Sequence, residues 1–146
     1  MYKVQGVFLQ SELEEVSLPD GLKVIPDEAF NRCEKLGKVN FPDGLESIGK
    51  FAFSETHLPA EVVLPQSVKH IGRGAFRKNA VPFERFVLPE GLETIERQAF
   101  GSSVLPNGIV IPGSVRRIED DAFSGCGWKN IVIPEGVEYI GLGSFQ

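Results

Sequence analysis

At 146 residues, 42% of them hydrophobic, the chain is the size of one domain and has enough apolar side chains for a real core. Fifteen basic residues against 20 acidic ones give a formal charge of −5, so the basic footprint that phosphate-backbone binding needs is missing in bulk and nucleic acid is not an expected partner. No apolar run approaches membrane-spanning length, so no membrane insertion is expected; residues 1–15 lack the order of a secretory leader, which leaves a cytoplasmic chain or one whose leader was removed.

Residues 1–15 precede everything periodic and are expected to cap the open end of residues 16–146. From there one phrase returns. Pro19, Pro42, Pro65, Pro89, Pro112 and Pro134 stand 23, 23, 24, 23 and 22 residues apart, and eleven residues after each comes Phe30, Phe53, Phe76, Phe100, Phe123 or Phe145. Six copies at a period in the twenties mean a solenoid, because one copy cannot bury its own apolar side and must stack on its neighbours. The length irregularities fall between each Phe and the next Pro, where a surface turn absorbs them.

Within a copy, an apolar pair at alternate positions precedes the proline: Val16/Leu18, Val39/Phe41, Val62/Leu64, Phe86/Leu88, Ile109/Ile111 and Ile131/Ile133. Period-two patterning with β-branched residues predicts a short strand in every copy, ended by a proline that has no amide to donate. Turn pairs such as Asp43-Gly44 and Glu90-Gly91 follow; Ser67 and Ser114 replace the glycine in two copies, so no positive φ is demanded there. Ile25, Ile48, Ile71, Ile95, Ile118 and Ile140 then mark a second buried strip. A short helical turn after it is expected to set each Phe into a central spine.

The pattern LxxVxLPxGLxxIxxxAFxxC, carried by Leu36-x-x-Val39-x-Phe41 and Trp128-x-x-Ile131-x-Ile133, resembles the BspA-type leucine-rich repeat over nearly the whole chain. The resemblance implies a right-handed, curved, mainly β repeat solenoid of about six rungs of short parallel strands with short helical or 3-10 turns. It implies binding of other macromolecules, protein above all, at a bacterial cell surface or after secretion, with no catalysis and no cofactor. The usual leucine-rich repeat asparagine is absent; Cys33, Thr56, Asn79, Ser103 and Cys126, three residues past each Phe, form a polar row suited to bonding turn backbones. Pro59 and Pro106 replace the apolar opening residue, so strands are expected to start late there.

In-register parallel rungs place like positions about 4.8 Å apart. The column Lys23, Glu46, Lys69, Glu93, Arg116, Glu138 alternates in sign at every step, as does Glu15, Lys38, Glu61, Arg85. These read as exposed charge ladders that fix register, each pair worth roughly 0.2–1 kcal/mol; a charge-patterned ligand surface is the other reading. Cys33 and Cys126 lie four rungs apart, on the order of 19 Å, too far for a disulfide whose Cα atoms must be within roughly 7 Å. No zinc-type spacing occurs, so no metal is expected.

Ser47 and His70 fall on neighbouring rungs of one outward column, but no carboxylate there orients the imidazole, so a solvated histidine is the better reading. Trp128 occupies the column of Leu13, Leu36 and Phe83 and reads as core. The row Asp20, Asp43, Gln66, Glu90, Gly113, Glu135 offers an acidic edge for a basic partner or weak calcium binding, or no more than ordinary turn chemistry. Position by position, the residue between the two buried ones of each pre-proline strand points outward: Ser17, Asn40, Val63, Val87, Val110, Val132. The four valines form an apolar ridge, with Asn40, Glu61, Arg85 and Asn130 as its polar border, and are the candidate protein-binding face; valine also simply suits a strand. The last rung ends without a polar cap, pointing to further repeats or to self-association there. A macromolecular binding module is the leading reading and an architectural or self-assembling spacer the alternative.

Overall fold

The computed structural model describes residues 8–146, a mainly β parallel solenoid whose rungs are the six copies. Its continuous element is the second strip. Strands β2 (Val24–Ile25), β4 (Ser47–Ile48), β6 (His70–Ile71), β8 (Thr94–Ile95), β9 (Arg117–Ile118) and β10 (Tyr139–Ile140) bond in sequence into one six-stranded parallel sheet. The isoleucines pair with one another in register. They point inward, and all but Ile140 are buried.

The pre-proline side is different. Only β1 (Glu15–Ser17) with β3 (Lys38–Asn40), and β5 (Glu61–Val63) with β7 (Arg85–Val87), form parallel pairs there. The strand expected in every copy is therefore present in four and absent from the fifth and sixth. Pro59 and Pro106 stand two residues before the rungs at which pairing to the preceding copy fails; proline offers the ladder no amide and fixes its own φ. Pro59 does not delay its strand, since β5 begins four residues before Pro65, as β3 does before Pro42. Around Pro106 the strand is replaced outright: Ile109 N–H donates to Pro106 O at 3.4 Å, and Gly108 at φ 82° closes a turn through Asn107-Gly108.

The Phe segment is not helical, and no helix occurs among the described residues. Alternate amides divide the work instead. Glu28, Phe30 and Arg32 N–H donate to Lys50, Ala52 and Ser54 O of the next rung at 2.7, 2.9 and 2.8 Å. Between them, Ala29 and Asn31 N–H close turns onto Pro26 and Glu28 O within the rung. Such zigzagging needs left-handed residues two before and two after each Phe. Glu28, Phe51, Gln98 and Asp121 adopt φ of 54–59° at the first place, with Gly74 and Gly143 completing the column. A third ladder thus holds the rungs together, and the strain of each left-handed residue is offset by the cross-rung bonds around it.

Inside, Phe30, Phe53, Phe76, Phe100, Phe123 and Phe145 stack at centroid separations of 5.3–5.7 Å. Phe8 adds a seventh ring 5.4 Å from Phe30, and its amide donates to Ala29 O as Phe30, Phe53, Phe76, Phe100 and Phe123 each donate to the next rung. Of the expected cap, residues 1–7 lie outside the described residues, while residues 8–11 repeat the Phe turn. The polar row bonds turn carbonyls. Cys33, Ser103 and Cys126 donate back one rung to Phe8, Phe76 and Phe100 O, and Thr56 donates to Phe53 O.

Candidate functional site

The pre-proline face is built by strand alternation. Val62 and Phe86 turn into the core, so their neighbours Val63 and Val87 turn out; in the fifth copy, which has no strand, Val110 still stands out between buried Ile109 and Ile111. Val63 is 51% exposed, Val110 72% and Val132 82%, while Val87 is half-buried between its neighbours. Val63 and Val87 are register partners, as are Glu61 and Arg85 beside them. Glu61, Arg85 and Asn130 are all exposed along the border.

Asn40 has another task. Its Oδ1 accepts from Leu18 N–H at 2.6 Å and its Nδ2 donates to Leu18 O at 3.1 Å, so the carboxamide stands in for a peptide group across the first two rungs. Ser17 is exposed at the head of the column.

Where the strand pairing is missing, the surface opens. A groove of about 420 Å³ separates Glu84–Leu88 from Pro106–Val110, and one of about 830 Å³ lies between Gly108–Ile111 and Lys129–Val132. Val110 lines both. The ridge is thus interrupted by apolar grooves, which the alternation of the sequence alone does not predict. The signal was Pro106-Asn107-Gly108, a turn sequence inside a segment patterned as strand.

The charge ladders are mostly loose. Lys23–Glu46 at 3.8 Å and Glu15–Lys38 at 3.0 Å close, but no other neighbouring pair in those two columns does among the described residues. Arg116 instead turns its guanidinium on carbonyls, donating to Gly113 O at 2.8 Å. Exposed lysine and glutamate gain little from meeting in water, which is why the columns alternate without locking. Near the Phe turns a carboxylate does engage: Glu55 lies 3.8 Å from Arg32 and 3.9 Å from Arg77 on the rungs to either side.

Both cysteines are buried and free, and burial pushes the Cys126 thiol up to about 12. Ser47 and His70 are register partners, yet no hydrogen bond joins their side chains. The charged members of the acidic row are exposed one per turn. Among the described residues no three His, Cys, Asp or Glu side chains gather as around a metal ion, and no helix is long and apolar enough to cross a membrane. Trp128 packs 4.7 Å from Phe123 and 6.0 Å from Phe145, with its indole N–H buried and unpartnered.

Stacked parallel rungs of this kind define a solenoid of the leucine-rich repeat class, whose members typically serve as protein-interaction scaffolds. The BspA type leucine rich repeat region model matches residues 4–107 and 78–146 in six copies, and the chain belongs to that family, whose domains generally bind proteins. A solved leucine-rich repeat protein from Bacteroides ovatus ATCC 8483 superposes with a TM-score of 0.56 at 24% identity, over 89% of this chain and 45% of that one. The leucine-rich repeat protein of T. pallidum (TpLRR) superposes with a TM-score of 0.64 at 29% identity, over 84% of this chain and 68% of that one. This chain therefore spans less than half the length of the Bacteroides protein. No curated protein matches the sequence.

Proposed function

We propose that the domain binds a protein partner through its pre-proline face, with Val63, Val87, Val110 and Val132 as the contact ridge and Glu61, Arg85 and Asn130 as its polar edge. The supporting observation is the ridge itself: three valines more than half exposed and a fourth half-buried on one side of the solenoid, bordered by charge of both signs. An apolar strip with a polar rim is the composition of a recognition surface, and it offers nothing to a reaction. Asn40 is left out, because its carboxamide is committed to Leu18. Adhesion at a bacterial surface is the finer form of this reading and rests on the family resemblance.

The test is capture by the immobilised domain. Val87→Glu with Val110→Lys is expected to abolish binding of a partner that the wild type retains, with Tm shifted by no more than a few degrees. Val24→Glu, on the other sheet, serves as the control that keeps binding. Retained capture by the double variant sinks the reading.

A further inference from the structure

Strand β7 carries a free edge. Arg85 N–H donates to Ala60 O at 3.1 Å and Val87 O accepts from Leu64 N–H at 3.2 Å, so Arg85 and Val87 turn their main-chain groups toward β5. Alternation turns those of Phe86 and Leu88 the other way, toward the fifth rung. No strand stands there, because the chain is occupied by the Pro106–Ile109 turn, and the 420 Å³ groove lies between.

We propose that this groove takes an extended segment of a partner protein as an added strand on β7. Its main-chain groups would bond to Phe86 and Leu88, and its alternate side chains would lie against Val87 and Val110. The occupant follows from continuity: β5 and β7 already form a parallel ladder, and a third strand extends it in the same plane. The molecule also shows what this side of the solenoid accepts when a strand pair is incomplete. At Leu18 the vacant main-chain groups are met by the carboxamide of Asn40, a chemical equivalent of a peptide bond. Five residues, 84–88, span about 16 Å of extended chain, room for a partner segment of similar length. Addition to an exposed edge draws affinity from main-chain bonds and selectivity from alternate side chains. The inference rests on the pre-proline face being the binding surface and adds the mode of binding.

The experiment is amide hydrogen exchange by NMR on the whole chain. The probe is a blocked synthetic peptide, Ala-Glu-Val-Val-Leu, the sequence of residues 60–64 that already lies along the other edge of β7. At millimolar peptide, exchange of the Phe86 and Leu88 amides should slow at least five-fold, and the same peptide N-methylated at alternate residues should leave it unchanged. Unaltered exchange with the free-amide peptide, or equal slowing by the methylated one, overturns the proposal. So does slowing that depends on protein concentration without peptide, which would assign the edge to a second copy. If Val87→Glu with Val110→Lys destroys partner capture while the two amides ignore the peptide, the ridge stands and the added strand falls.

Discussion

Asn40 and Leu18 are joined by a two-way bond, 2.6 Å from the Leu18 amide to Oδ1 and 3.1 Å from Nδ2 to the Leu18 carbonyl. Only a carboxamide supplies both an acceptor and a donor in that geometry. Asn40→Ala is therefore expected to lower stability by roughly 0.5–1.5 kcal/mol without reducing partner capture. Asn40→Asp keeps the acceptor alone and should fall between the two. Denaturant titration together with a binding assay checks both parts.

Gly74 and Gly91 make a matched pair. Gly74 has φ 62°, and a Cβ there would collide with the Phe51 ring, whereas Gly91 has open space and no positive φ. Gly74→Ala should destabilise the fold by more than about 1 kcal/mol. At Gly91 the same change should be neutral or slightly stabilising. Equal Tm values for the two variants would contradict the left-handed turn described for the Phe segment.

The Phe stack predicts a graded truncation series. Phe76 is buried between Phe53 and Phe100 at 5.7 and 5.6 Å, while Phe8 is 40% exposed with one ring partner among the described residues. Phe76→Ala should cost about 3–5 kcal/mol and Phe8→Ala well under half of that. Thermal unfolding of the two variants decides it.

Cys126 should be silent toward alkylating agents in the folded protein and react after denaturation, when non-reducing mass spectrometry finds two labelled thiols. Its thiol is pushed from 9.0 to about 12 by burial, so the folded state holds its proton where the unfolded state releases it. The stability this group contributes is complete below pH 9 and is lost as pH rises toward 12. Cys126→Ala should remove that alkaline dependence.

Much of this architecture can be read from the sequence, for a physical reason. Invariant inward residues such as Ile71 and Phe76 repeat because each rung meets an identical neighbour, so spacing alone places them. The outward valines also follow from alternation. What depends on the main chain of a neighbouring rung is harder to read. Glu28, Phe51 and Gln98 adopt left-handed φ with no glycine to announce it, because cross-rung bonds impose that conformation. Asn40 looks like one more exposed polar residue until Leu18 is seen beneath it. The failed strand of the fifth copy was legible, since Pro106-Asn107-Gly108 is a turn signal, but the repeat pattern of Ile109 and Ile111 outweighs it on paper. Phe8 stands 22 residues before Phe30 and matches the period, yet no proline precedes it to mark a copy.

The central claim is that recognition runs along the valine ridge, and methyl NMR of the domain with a captured partner tests it most directly. Val63, Val87, Val110 and Val132 should shift or broaden together on titration, while Val24 and Val104, exposed elsewhere, stay unmoved. Perturbation centred on Val24 and Tyr139 with the four ridge valines unchanged would contradict the account and move the binding surface to the continuous six-stranded sheet.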